Sequence, residues 1–99
     1  MRHKYNAIRT EVNGIKFPSK RESRYYQDLL LAQKSGELLF FLRQIPFDLI
    51  GGVRYVCDFM EFWRNGEIRF TDCKGFSTDI YKLKKKQVET LYPIKIIEV

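Results

Sequence analysis

The spacing of apolar residues changes several times along the chain, and each change marks an element. Between Ser19 and Gly36, the residues Glu22, Tyr26, Leu29, Leu30 and Gln33 recur at spacings of three and four, the stripe of a helix with one buried face. Ser19, placed after Pro18, is a good N-cap, and Gly36 suits the position just past the helix end. Leu38 to Ile50 is apolar and aromatic except at Arg43-Gln44 and Pro46, which predicts a strand at a sheet edge or bulged near the proline. Gly51-Gly52 turns the chain. Val53 to Trp63 and Glu67 to Lys74 then read as two strands joined at Arg64-Asn65-Gly66. A second helix is expected from about Asp79 to Leu91, capped by Ser77 or Thr78, with Ile80, Leu83, Lys84, Gln87, Val88 and Leu91 on one face, and Pro93 stops it. Ile94 to Val99 is apolar and β-branched, as suits a buried parallel strand. Ahead of all this, residues 6–17 form an expected hairpin around Asn13-Gly14, read as an arm outside the core.

Helix, three-strand meander, helix and strand make an α/β (α+β) fold: a mixed sheet flanked by helices, its last strand parallel to its neighbour. At 99 residues this is one domain, with residues 1–18 the arm and 19–99 the core. Eight Phe, six Tyr and one Trp supply core area quickly, so no covalent staples are needed. Phe40, Phe41, Phe59, Phe62, Trp63 and Phe70 are the expected core aromatics. Cys57 and Cys73 could form one bridge at most, and the expectation is two reduced, buried thiols; with the single His3 they lack the spacing of a zinc site. No run approaches the roughly 18 to 20 apolar residues of a membrane span, and no apolar signal core follows Met1. A soluble, cytoplasmic protein with no membrane partner is expected.

The net charge of +6 is unevenly placed. The first 24 residues hold seven basic and two acidic side chains, residues 25–73 hold five and seven, and residues 74–99 hold six and three. Basic ends suit a polyanion such as nucleic acid. The acidic middle contains charges inside strands: Asp58 in Tyr55-Val56-Cys57-Asp58-Phe59-Met60, and Asp72 and Lys74 in Phe70-Thr71-Asp72-Cys73-Lys74-Gly75. Ionised groups there are costly unless paired or metal-bound. Alternation puts Asp72 and Lys74 on one face.

Whether Asp58 joins them depends on the turn. A two-residue Asn65-Gly66 loop would send Asp58 and Asp72 to opposite faces. A three-residue loop with Gly66 left-handed pairs Trp63 with Glu67, so that Asp58 falls opposite Asp72, Cys57 opposite Cys73, and Glu61 opposite Arg69 as a cross-strand charge pair. The second register is the more coherent and is the expected one. Two adjacent carboxylates repel unless a cation sits between them, and hard oxygen ligands suit Mg²⁺. Glu22 could reach the site from the helix packed above it, and Lys74 could position a water and stabilise charge on a phosphate. Ser19-X-X-Glu22 also matches a capping box, but the place of Glu22 on the apolar stripe favours the site.

A helical glutamate, an aspartate in the second strand and Asp-X-Lys in the third resemble the PD-(D/E)XK nuclease superfamily. Nearly the whole chain is similar to a small phage-encoded family of unknown function within it, through Lys4-Tyr5-Asn6-Ala7, Phe17-Pro18-Ser19-Lys20-Arg21-Glu22, Val53 to Phe59, Asp72-Cys73-Lys74-Gly75 and Tyr81 to Lys86. Phe17-X-Ser19-X-X-Glu22 followed by Gln44-X-Pro46 is also similar to the endonuclease subunit of certain transposases. The resemblance implies a restriction-endonuclease-like αβββαβ core and a Mg²⁺-dependent DNA endonuclease, with Mn²⁺ as a substitute metal. It makes Glu22, Asp58 and Asp72 the metal ligands and Lys74 the catalytic lysine, although Cys57 stands where proline commonly precedes the aspartate.

Lys82, Lys84, Lys85 and Lys86 read alone as a solvated helix face; beside an acidic metal site they gain a role in holding phosphates. Lys4, Lys20, Arg21 and Arg24, with Arg2 and Lys16, extend that track, and Tyr5 and Tyr25 are candidates for stacking on unpaired bases. Nothing resembles a base-reading helix, so recognition of DNA shape is expected, with a Holliday-junction-resolving or branch-directed nuclease acting as a homodimer in the host cytoplasm as the leading expectation. The alternatives are a nicking or restriction-like nuclease on duplex or single-stranded DNA, a non-catalytic DNA-binding module of the same fold, and a small interaction protein of a phage replication or packaging complex.

Overall fold

The structure, a computed structural model, describes residues 9–99. In chain order the elements are β1 (Thr10–Val12), β2 (Ile15–Phe17), α1 (Lys20–Ser35), β3 (Leu38–Asp48), β4 (Arg54–Trp63), β5 (Ile68–Asp72), α2 (Asp79–Leu91) and β6 (Ile96–Glu98). β1 and β2 pair by themselves. The other strands form one mixed sheet in the order β3-β4-β5-β6, antiparallel except for the parallel β5–β6 pair that α2 connects. This is the expected α/β arrangement of helix, three-strand meander, helix and strand.

Local chemistry explains the boundaries. Ser19 Oγ accepts the Glu22 amide at the start of α1. At its end Gly36 takes φ 87°, while the Gly36 and Glu37 amides donate to Gln33 and Ala32, the paired bonds of a Schellman cap. The three-residue turn forms as expected: Gly66 has φ 92°, its amide donates to Trp63 O, and Trp63 N–H donates to Glu67 O. The register follows, with Phe59 opposite Thr71 and Glu61 opposite Arg69.

The core has two parts. Phe17, Tyr26, Leu29, Leu38, Phe59 and Cys73 form one cluster with α1, and Leu49, Tyr55, Cys57, Tyr81, Val88 and Ile96 form the other with α2, against which Phe70 also packs. Phe59 and Phe70 sit one register step apart on facing strands and so point to opposite faces of the pleat. The two helices therefore cover the two faces. Cys57 and Phe59 would share a face in a regular strand, yet they lie in different clusters. The alternation of β4 slips at the residue between them, Asp58. Opposite it in register stands Gln44 of β3, whose φ is 57°.

Several expectations are corrected. The hairpin is no detached arm, because Phe17 is buried in the α1 cluster and Val12 and Ile15 pack beside it; the part of that hairpin before residue 9 lies outside the described residues. Of the two expected readings of Pro46 the edge strand holds and the bulge does not: Pro46 pairs regularly with Val56 on edge strand β3, which does not need its missing N–H, and the irregularity falls between Leu38 and Phe40. Phe40 is 45% exposed and stacks on half-buried Phe62 at 4.2 Å, outside both clusters. On α2 the buried residues are Tyr81 and Val88, whereas Ile80 (69%), Leu83 (58%) and Leu91 are exposed: aromatic Tyr81 outweighs the aliphatic stripe in setting the helix rotation. β6 is parallel as expected but is an edge strand, with Ile97 exposed. Glu61 does face Arg69 in register, but Arg69 pairs with Glu67 and lies over the Trp63 ring. Cys57 and Cys73 are both free and buried. Among the described residues no helix is long and apolar enough to cross a membrane.

Candidate active site

β4 and β5 stop exchanging regular backbone bonds after Phe59 and Thr71, and carboxylates take over where the ladder ends. The Asp58 amide donates to Asp72 Oδ1 at 2.9 Å, and the Cys73 amide donates to Asp58 Oδ2, also at 2.9 Å. The two aspartates thus stand opposite one another, as the three-residue turn requires, each with one oxygen fixed by the other strand. Asp72 is fully buried and its Oδ2 has no hydrogen-bond partner. Burial without a partner is costly for a carboxylate oxygen.

Glu22 reaches this cluster from α1. Its amide satisfies the Ser19 cap, but its side chain turns toward the sheet, 3.5 Å from Arg43 Nη2 and 3.4 Å from Gln44 Nε2. The cap and the site role therefore coexist, because they use different atoms of the residue. Glu22 is 3% exposed. Burial first, and the nearby Asp58 charge second, push its carboxyl up to about 7, with Arg43 pulling the other way. Burial likewise raises Asp58, opposed by the Cys73 amide, Lys74, the Gln44 amide and Arg43, and raises Asp72, opposed chiefly by the Asp58 amide and Lys74.

Lys74 follows β5 and places its Nζ 4.6 Å from the centroid of the Tyr81 ring. Behind it runs a second network: the Tyr81 hydroxyl donates to Glu98 Oε2 at 3.1 Å, and Lys85 pairs with the same oxygen at 3.0 Å. Glu22, Asp58, Cys73 and Lys74 line a cavity of about 480 Å³ that opens between Pro18-Ser19, Arg21 and Gly75-Phe76. A larger hollow of about 580 Å³, lined by Met60, Phe70, Ile94 and Ile97 among others, is mainly apolar and lies away from this cluster.

Glu22, Asp58 and Lys74 thus line one cavity, while Asp72 stands beside Asp58 but is fully buried and forms no part of that lining; Cys73, which strand alternation placed on the face opposite Lys74, lines the cavity with it. Among the described residues, no three Asp, Glu, His or Cys side chains converge into a ready-made metal cage. The donor set that does fit a hard cation is the facing aspartate pair, with its orphaned Asp72 Oδ2 and with Glu22 beyond the Arg43 and Gln44 contacts; Mg²⁺ commonly uses one or two carboxylates and completes its shell with water and phosphate.

Of the basic candidates, Lys20, Arg21 and Arg24 are exposed on the first turns of α1, and Lys82 and Lys86 are exposed on α2. Lys85 is committed to Glu98. Lys4, with Arg2 and Tyr5, lies outside the described residues. Tyr25 is not free to stack on bases: its hydroxyl donates to Glu61 at 2.6 Å and its ring packs on Phe59. Arg43, Gln44, Tyr81 and Glu98 were not among the expected site residues. Arg43-Gln44 did announce itself as the polar break in an apolar strand; Tyr81 and Glu98 carry no sequence signal of their role.

Residues 2–97 match a family described as a protein of unknown function (DUF1064). No curated protein matches the chain, and no solved structure does.

Proposed function

The chain belongs to the DUF1064 family, and we propose that it is a Mg²⁺-dependent DNA endonuclease of the PD-(D/E)XK kind, directed to branched DNA. The observation that carries this reading is the reciprocal clasp of Asp58 and Asp72 at the point where β4 and β5 part, with Lys74 and Glu22 beside it. Like charges buried together destabilise a fold unless a ligand uses them. Asp58 and Asp72, with Glu22, would hold the cation, which supplies polarisation of the scissile phosphate and an acidified water. Lys74, braced by the Tyr81 ring, orients the attacking water and offsets charge growing on the phosphate. Lys20, Arg21, Arg24, Lys82 and Lys86 carry the flanking phosphates against the acidic centre. Both helices are committed to packing the sheet, through Tyr26 and Leu29 on α1 and Tyr81 and Val88 on α2, which favours reading DNA by shape over base edges. A four-way junction needs two cuts, so the active form in this reading is a homodimer.

The second reading, a DNA-binding module without catalysis, draws on the engagement of Glu22 by Arg43 and Gln44. Labelled four-way junction, flap, duplex and single strand, incubated with Mg²⁺ or EDTA, separate the two. Metal-dependent junction cutting lost in Asp72→Asn supports the nuclease; cutting without branch preference keeps the chemistry and removes the substrate. Salt-sensitive binding with no cutting favours the module.

A further inference from the structure

We propose that Gln44 is a positioning residue that ties Glu22 of α1 to Asp58 of β4 and so sets the spacing of the two carboxylates for a cation; this rests on the metal-site reading above. Three independent features of the residue converge. Its φ of 57° lies in the left-handed region, rare for a side chain larger than Asn in the middle of a strand. The register is kept on either side of it, Arg43 opposite Phe59 and Ile45 opposite Cys57, so the twist is no register bulge, but Gln44 and Asp58 themselves drop out of the ladder. The residue across from it is Asp58, where the alternation of β4 also slips, and its amide donates to Glu22 Oε2 at 3.4 Å and lies close enough to interact with the Asp58 carboxylate. A left-handed backbone whose side chain meets carboxylates from two different elements is the pattern of a position held for the site. Glutamine fits the task because its neutral –NH₂ offers two donors, bridging the carboxylates without competing for the cation as an ammonium would.

The test uses Mn²⁺ as the probe, titrated by electron paramagnetic resonance, alongside melting in EDTA. Gln44→Gly, which takes a left-handed φ freely, should melt no lower than the wild type yet bind Mn²⁺ at least about tenfold more weakly, the usual loss when a partner of a metal ligand is removed. Gln44→Asn, which tolerates this backbone and keeps an amide, should recover part of the affinity. Wild-type affinity in Gln44→Gly, or melting well below the wild type, would overturn the assignment. If the wild type itself takes up no Mn²⁺, the metal-site reading falls first and Gln44 falls with it, a result seen before any variant is made.

Discussion

Glu61 and Asp72 are both fully buried carboxylates on neighbouring strands of one sheet, and their surroundings differ in kind. Glu61 has both oxygens filled by neutral donors, the Tyr25 hydroxyl at 2.6 Å and the Trp63 indole at 2.9 Å. Asp72 has one oxygen on the Asp58 amide and the other without a hydrogen bond of its own, near a Tyr81 hydroxyl that is given to Glu98, with Asp58 opposite and Glu22 near enough for their charges to interact. Burial alone does not mark a functional acid. A satisfied carboxylate among aromatic donors fastens α1 to the sheet; crowded carboxylates with an open oxygen are costly to the fold and make sense as a place for a cation.

Substituting the two acids should therefore move activity and stability in opposite senses. Asp72→Asn should lower DNA cleavage at least about a thousandfold, roughly 4 kcal/mol of transition-state stabilisation, while raising the melting temperature in EDTA because a buried like charge is gone. Single-turnover cleavage and calorimetry on the same sample check both halves. A smaller effect concerns pH. Because the folded protein holds a proton on Glu22 up to about 7 that the unfolded chain releases near 4.5, its stability in EDTA should be full below about 4.5 and fall as pH rises through 7, by on the order of 2 to 3 kcal/mol. The raised Asp58 and Asp72 act in the same direction. Glu22→Gln should flatten that decline, as should saturating Mg²⁺; a melting temperature that instead climbs between pH 5 and 8 would contradict the assignment. Glu61→Gln should cost about 1 to 3 kcal/mol of stability, seen in urea unfolding, and leave cleavage within about tenfold of wild type. At the small end, Lys82→Ala should leave the fold untouched and reduce the salt dependence of DNA binding by about one phosphate contact.

The sequence made the ladder and the pairing of the acids legible because they rest on local chemistry. Arg64-Asn65-Gly66 sets the turn, the turn sets the register, and the register puts Asp58 opposite Asp72. Ser19 and Gly36 bounded α1 for the same reason. What stayed hidden depends on tertiary packing. The rotation of α2 is decided by Tyr81 finding Tyr55 and the Lys74 ammonium, which no periodicity of aliphatic residues reveals. The slip at Asp58 is visible only as two clusters claiming alternate residues, and Tyr25 reads as a free surface aromatic until Glu61 is seen beneath it. Gln44 lies between these cases: its polarity stood out in an apolar strand, but its left-handed backbone did not.

The contrast between the two acids is tested most directly by a Mn²⁺ titration of the wild type, Asp72→Asn and Glu61→Gln under one set of conditions. Saturable binding in the wild type and in Glu61→Gln, abolished in Asp72→Asn, is the predicted result. Equal binding in all three, or none in the wild type, would contradict the assignment of the Asp58–Asp72 clasp as a metal site.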